Sequence, residues 1–255
     1  MITAGIDVGA RNTKAVIVKD GSMLSHGMVP TGANITESAE KALGQALSSA
    51  GISRDKVERI MATGSGRQEV KFADDTTTDM VADGKGINHF FPSVRTAIDI
   101  GDEENRAFKV TGEGKMVDFS KNDKCAAGVG AFVESMATAL EVKLSDMQPL
   151  ALESKVDVDM NVTCVVFAES EVVSQIHAGT SKPDIARAIL NVIATRTSAM
   201  VRRLGAEDDV ALMGGVASNV AVQNLMKSHL KADNIKVAEN PYIVGALGAA
   251  LIAAE

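Results

Sequence analysis

Asp7 and Asp99 each close a strand-like run and are followed two residues later by a glycine, in Ile6-Asp-Val-Gly9 and Ile98-Asp-Ile-Gly101. Such a turn lets the backbone approach a phosphate and aims successive N–H groups at it. The carboxylate beside it suits hydrated Mg²⁺, an ion that keeps several waters and binds through one or two carboxylates and phosphate oxygens. A third turn, Met213-Gly-Gly-Val-Ala-Ser-Asn219, follows a buried-strand run and opens a helix. Gly214 and Gly215 there could seat the adenosine and α-phosphate of a nucleotide. A lone turn of any of these kinds commonly just links two elements; two in register with a third change the balance towards a nucleotide site. Two cysteines add a second chemistry. Cys125 stands in Asn122-Asp-Lys-Cys-Ala-Ala-Gly-Val-Gly-Ala-Phe132 and Cys164, 39 residues on, in Asn161-Val-Thr-Cys-Val-Val-Phe-Ala-Glu169. Cys125 lies immediately before a predicted helix and Cys164 at the start of another, where the N-terminal partial charge lowers a thiol pKa and favours an anionic cluster.

The elements that position these residues come from a duplication. Residues 6–18 align without a gap on residues 98–110, which lie 92 residues further on. Asp7 matches Asp99, Gly9 matches Gly101, Ala15 matches Ala107, and the bases Lys14 and Arg106 coincide. Each copy reads as strand, glycine turn, strand and second turn, a hairpin meander. The remaining pattern predicts helices over 36–50, within 124–140, and over 163–178, 183–204, 219–230 and 244–254. The helix within 124–140 breaks before Pro149. A short turn at 53–55 precedes a strand over 57–62, and strands are predicted over 210–213 and 235–237. Mixed strands and helices at this spacing give α/β layers. The domains expected are 1–96 and 97–241, the second carrying the cysteines, with 242–255 packing back on the first.

Composition excludes several classes. The 255 residues are 45% hydrophobic and 23% charged, a folded globular balance. Aromatics make up 3% with no Trp, and the net charge is −7. Both count against nucleic acid, which wants stacking platforms and a basic face. No apolar run reaches the roughly 18 residues of a membrane span. The chain starts directly in a strand pattern, so a cytoplasmic protein is expected. Two cysteines in a reducing compartment are not expected to form a structural disulfide. They are either two buried small hydrophobes or half of the four thiolates a cubane [4Fe-4S] cluster takes. In the second case a two-fold dimer, or a pair of similar subunits, supplies the other two. None of His26, His89, His177 and His229 is spaced with either cysteine as a zinc pair.

The order Gly5-Ile-Asp-Val-Gly9, Ala97-Ile-Asp-Ile-Gly101, Met213-Gly-Gly215 and Pro241-Tyr-Ile-Val-Gly-Ala-Leu-Gly248 resembles the phosphate-1, phosphate-2, adenosine and connecting segments of the actin, Hsp70 and sugar-kinase ATPases. The Lys-Cys-Ala-Ala-Gly-x-Gly-x-Phe run and the second cysteine resemble the activators of 2-hydroxyacyl-CoA dehydratases and the ATPase subunits of class I benzoyl-CoA reductases. The resemblance implies an actin-like fold of two duplicated ribonuclease-H-like domains with a nucleotide cleft between them. It implies Asp7 and Asp99 as catalytic residues, and Gly9, Ala10, Arg11, Asn12, Lys14, Gly101, Gly214 and Gly215 around ATP and Mg²⁺. Arg11 and Lys14 could equally form surface salt bridges, and Glu103 is a catalytic candidate that orients water or acts as a base, or else a solvated charge. Cys125 and Cys164 become ligands of a [4Fe-4S] cluster shared between two subunits. The implied partners are a second copy or a paralogous ATPase subunit, an acyl-CoA reductase or dehydratase component as electron acceptor, and a ferredoxin- or flavodoxin-type donor. The second turn departs from the dehydratase-activator pattern Asp-Ile-Gly-Gly-Gln-Asp. It reads Asp99-Ile-Gly-Asp-Glu-Glu, with Glu103 where the Gln would fall. That departure favours a benzoyl-CoA-reductase-type subunit, with a homodimeric dehydratase activator as the alternative. A small-molecule kinase and a non-hydrolysing nucleotide sensor are the remaining rivals.

Overall fold

A computed structural model describes residues 1–121, 129–160, 165–206, 209–232 and 234–255. They divide into two compact units, Met1–Arg95 with Val110–Val117 and Ala238–Glu255, and Thr96–Lys109 with Asp118–Val237.

The first unit is built on strands β1 (Ile2–Val8), β2 (Asn12–Lys19), β3 (Ser22–Pro30), β4 (Arg59–Gly64) and β5 (Asp75–Thr76), in the order β3-β2-β1-β4-β5. The meander β1–β2–β3 is antiparallel, whereas β4 lies parallel to β1 and β5 parallel to β4. Alternation decides which helix each face receives. Ala4, Ile6, Val8, Ala15 and Ile17 meet Ala39, Ala42, Leu43, Ala46 and Leu47 of α1 (Ile35–Ala50). Asn34 caps the start of α1 by accepting from the Glu37 N–H, and Gly51 ends it in the left-handed conformation. On the other face, Val16 and Val18 pack against Ala246, Leu247 and Ala250 of α8 (Val244–Ile252). A Cβ at Gly5 would strike the Ala246 carbonyl, so α8 lies directly on β1.

Beside α8 runs α2 (Asp79–Phe90), a helix absent from the expectations above. Its Gly84-Lys-Gly86 run carries the composition of a loop. The structure shows what the glycine at 86 does: a Cβ there would collide with the Val244 carbonyl, as one at Gly248 would with that of Ala82. Backbone-to-backbone contact between α2 and α8 repays the low helix propensity. Thr78 caps the start of α2, accepting from the Val81 N–H.

The second unit repeats the sheet with strands β6 (Thr96–Ile100), β7 (Asn105–Val110), β8 (Met116–Lys121), β9 (Val210–Met213) and β10 (Ile235–Val237), ordered β10-β9-β6-β7-β8. Strand for strand this is the first order again: an antiparallel β6–β7 hairpin, then β9 parallel to β6 and β10 parallel to β9. Its helices are α3 (Val129–Ala139), α4 (Met147–Glu153), α5 (Val165–His177), α6 (Lys182–Leu204) and α7 (Val220–Leu230). α6 is buried along one stripe from Ile185 to Leu204, and its Ile189, Leu190 and Ile193 join Phe132 and Met136 of α3, Val172 of α5 and Leu225 of α7 in one core. Pro149 falls in the first turn of α4, where its missing N–H costs nothing. The strand expected over 57–62 lies slightly later in the chain, over Arg59–Gly64.

Candidate functional site

Each duplicated hairpin builds the same arrangement. In the first, the Gly9 N–H donates to the Asn12 carbonyl at 3.2 Å, and in the second the Gly101 N–H donates to that of Glu104 at 3.0 Å. The antiparallel register sets Asp7 directly opposite Lys14 and Asp99 directly opposite Arg106. Lys14 Nζ lies 2.9 Å from Asp7 Oδ2, and Arg106 reaches Asp99 Oδ2 with Nη2 at 2.5 Å and Nε at 3.2 Å. All four side chains are largely buried. Ion pairs so placed are held by geometry and are costly to break from one side.

The other carboxylate oxygen faces a glycine in each unit. Gly64 ends β4 and Gly214 follows β9, with φ of +86° and +89°. A Cβ at Gly64 would lie 2.5 Å from Asp7 Oδ1, and one at Gly214 would be too close to Asp99 Oδ1 and 2.6 Å from the Ile100 carbonyl oxygen. Only glycine satisfies both the left-handed backbone and that approach. The next position differs: Gly215 has αR backbone, and a Cβ there would meet nothing within 4 Å among the described residues.

The first turn is braced by Thr31, whose Oγ1 donates to the Gly9 carbonyl at 2.8 Å and whose N–H donates to that of Arg11. Ala10 and Arg11 form its exposed tip, and Asn12 opens β2. In the second turn Glu103 is exposed. Asp102, its neighbour, lies against α3: the Gly130 N–H donates to the carbonyls of Gly101 at 3.3 Å and Asp102 at 3.1 Å. The turn after β6 and the first turn of α3 are thus joined by backbone hydrogen bonds. Cys125 and Cys164 lie outside the described residues. The helices that follow them, α3 and α5, share the core of the second unit.

Within the first unit the structure therefore brings together Asp7, Gly9 and Lys14, and within the second Asp99, Gly101 and Gly214. Three features went unread in the sequence. Arg106 holds Asp99 as Lys14 holds Asp7; its coincidence with Lys14 in the repeat was the available signal. Gly64 is the counterpart of Gly214, but the repeat carrying it lies beyond the aligned hairpin. Asp83 on α2 is buried, and its Oδ1 and Asp7 Oδ2 converge on Gly245, at 2.8 and 3.6 Å from where a Cβ there would sit. No sequence pattern marks that meeting, because α2 and α8 are remote in the chain.

This duplicated sheet with paired strand-end carboxylates is the actin-like ATPase fold. Residues 4–253 match the model of the BadF/BadG/BcrA/BcrD ATPase family, and the chain belongs to that family. It is 39% identical over 255 residues to an activator of lactoyl-CoA dehydratase from Anaerotignum propionicum, covering 100% of this chain and 98% of that one. Component A of the (R)-2-hydroxyglutaryl-CoA dehydratase of Acidaminococcus fermentans superposes with a TM-score of 0.94 at 37% identity, over 99% of this chain and 97% of the other. The activator of the 2-hydroxyisocaproyl-CoA dehydratase from Clostridium difficile, solved with bound ADPNP, gives 0.93 at 34%, over 99% and 94%. A benzoyl-CoA reductase subunit of Thauera aromatica is more distant, 27% identical over 98% of this chain and 92% of that one. The weight of similarity thus lies with the dehydratase activators, which the second turn alone had placed behind the reductase subunits. Among the described residues no helix is long and apolar enough to cross a membrane.

Proposed function

We propose that this chain is the ATP-hydrolysing activator of a 2-hydroxyacyl-CoA dehydratase, passing a low-potential electron to it from a [4Fe-4S] cluster shared by two copies. The observation that carries the ATPase half is the duplicated pair Asp7–Lys14 and Asp99–Arg106, each with one carboxylate oxygen turned to a glycine that tolerates no side chain. Among the described residues no three His, Cys, Asp or Glu cluster as direct metal ligands. Single carboxylates fit a hydrated Mg²⁺ instead, and that ion would supply charge neutralisation to the transferring phosphoryl group. In this reading Asp7 and Asp99 orient its water shell. Lys14, Arg11 and Asn12 meet phosphate, Gly9, Ala10 and Gly101 offer backbone N–H groups, and Gly214 and Gly215 leave room for the nucleoside end. Glu103 is the candidate for orienting the attacking water.

For the electron half, Cys125 and Cys164 are the ligands proposed, and the cluster would carry one electron at a time. Support comes from the helices that follow each cysteine and from the Gly130 hydrogen bonds, which tie the Asp99 turn to the helix after Cys125. A change at the phosphate turn therefore has a short covalent and hydrogen-bonded route towards one ligand segment. A ferredoxin- or flavodoxin-type protein is the donor proposed, and the dehydratase component is the acceptor. The second reading, a benzoyl-CoA-reductase-type subunit paired with a paralogue, keeps one specific observation in its favour, the Asp102-Glu103 pair in the second turn.

The test is anaerobic purification followed by iron and nucleotide measurements. Four irons per two chains are expected, with a brown chromophore lost in Cys125→Ser and in Cys164→Ser. Asp99→Asn should retain the chromophore and lose ATP turnover by orders of magnitude. A supplied dehydratase component should dehydrate its 2-hydroxyacyl-CoA only with this protein, a reductant and Mg-ATP. Full iron content in either Cys→Ser variant would remove that residue as a ligand, and wild-type turnover in Asp99→Asn would remove the nucleotide assignment.

A further inference from the structure

The two half-sites are alike in strand order, turn geometry and glycine, and each holds an ion pair, but the residue beside the carboxylate on the parallel strand differs. The parallel register pairs Asp7 with Thr63 on β4 and Asp99 with Met213 on β9. A hydroxyl therefore stands beside the first carboxylate where a thioether stands beside the second. Register partners on parallel strands project to the same face of the sheet. Met61, two residues earlier on β4, packs against Ala82, Ala249 and Ala253, so Thr63 also faces α2 and α8. Asp7 faces the same way, towards Gly245 at the start of α8.

Thr63 is fully buried, and its Oγ1 has no hydrogen-bond partner among the described residues. A buried hydroxyl without a partner costs stability, and native proteins keep few of them without a use. A valine of the same shape would satisfy packing at this site. The neighbouring carboxylate is meanwhile committed elsewhere: Asp7 Oδ2 is held by Lys14, and Oδ1 is turned to Gly64. When Lys14 is drawn to a bound phosphate, Asp7 loses that hydrogen bond and needs another donor to hold its rotamer. The hydroxyl on the adjacent strand is a donor available on that face.

We infer that Thr63 is a positioning residue of the ATPase site: with Mg-nucleotide bound, its hydroxyl donates to the Asp7 carboxylate and fixes the oxygen that faces the hydrated metal. This rests on the reading of Asp7 as the carboxylate that holds that metal. It assigns the two half-sites unequal tasks, since Met213 has no proton to donate to Asp99. The hydroxyl contributes to function and not to the fold of the nucleotide-free chain.

The experiment compares Thr63→Val, Thr63→Ser and Asp7→Asn in the full-length protein. Three quantities are measured: the thermal midpoint, the Mg²⁺ concentration for half-maximal binding of a non-hydrolysed ATP analogue, and steady-state turnover. Thr63→Val should melt at or above the wild-type temperature, because it removes a polar atom that has no partner. Its Mg²⁺ requirement should rise about tenfold and kcat should fall by a similar factor, with KM for ATP at saturating Mg²⁺ little changed. Thr63→Ser, which keeps the hydroxyl, should behave like wild type. A Thr63→Val protein that melts below wild type would make the hydroxyl structural and overturn the inference, as would one with wild-type Mg²⁺ dependence and kcat. Should Asp7→Asn disturb the Mg²⁺ requirement and Thr63→Val leave it alone, the assignment of Thr63 falls and that of Asp7 stands. Should neither variant disturb it, the metal-holding role of Asp7 falls as well.

Discussion

The adjacent glycines 214 and 215 answer to different forces, which makes them separable. Gly214 has φ of +89°, and a Cβ there would press on Asp99 Oδ1 and the Ile100 carbonyl. Gly214→Ala should therefore destabilise the second unit, by roughly 1–3 kcal/mol for the backbone strain with more for the clash. Gly215 has αR backbone and, among the described residues, open space where a Cβ would sit. Gly215→Val should leave the urea midpoint of the nucleotide-free chain nearly unchanged and abolish binding of an ATP analogue, since the open space is where a nucleotide would approach. Equal loss of stability in both variants would mean that Gly215 is there for packing alone. The ion pairs at Asp7 and Asp99 belong to this scale too. The repeat paired their positions in the sequence, but only the antiparallel register made partners of them.

At the scale of an element, α6 shows how a long helix is anchored outside the site. Ser181 caps its start by accepting from the Asp184 N–H at 3.3 Å, and Pro183 lies in the first turn. Asp184 accepts hydrogen bonds from Ser181 Oγ at 2.6 Å, from Ser154 Oγ at 2.8 Å and from the Lys155 and Val156 N–H groups. These donors, the Ser181 hydroxyl first and the Ser154 hydroxyl next, lower its pKa from the ordinary 3.8 to about 2. A carboxylate depressed in the folded state stabilises the fold above its unfolded pKa and loses that contribution as pH falls towards the folded value. Asp184→Asn should thus be less stable than wild type at neutral pH, and the gap should narrow as pH drops from about 3.8 to about 2. Urea unfolding of the two proteins across that range measures it. A gap that stays constant with pH would show that the charge contributes nothing.

At the scale of the whole molecule, the proposed role requires nucleotide state to reach the cysteine segments. A ligand shifts a conformational equilibrium only by its differential affinity for the two states. The Gly130 hydrogen bonds to Gly101 and Asp102 give the phosphate turn a lever on α3. Mg-ATP, or a non-hydrolysed analogue, should therefore change the rate at which a chelator strips iron from the reduced protein, severalfold at saturation. Electron delivery to the acceptor should stop when only the analogue is present. Chelation at one rate with and without nucleotide, together with electron delivery that needs none, would separate the ATPase from the cluster.

The gapless match of residues 6–18 to 98–110 was enough to read the duplication, the two strand-end carboxylates and the phosphate turns, because a hairpin's chemistry is local and survives in short spacing. The helices were legible wherever an apolar stripe marked one face, as in α6. α2 was not, since its Gly86 serves a contact with α8, which lies far along the chain. For the same reason only the folded chain set Gly64 against Asp7, gathered Asp83 and Gly245 around it, and left the Thr63 hydroxyl without a partner among the described residues. Those relations depend on which strand lies parallel to β1 and on which helix covers it. Burial and backbone approach decide both after collapse, and no local spacing records either one.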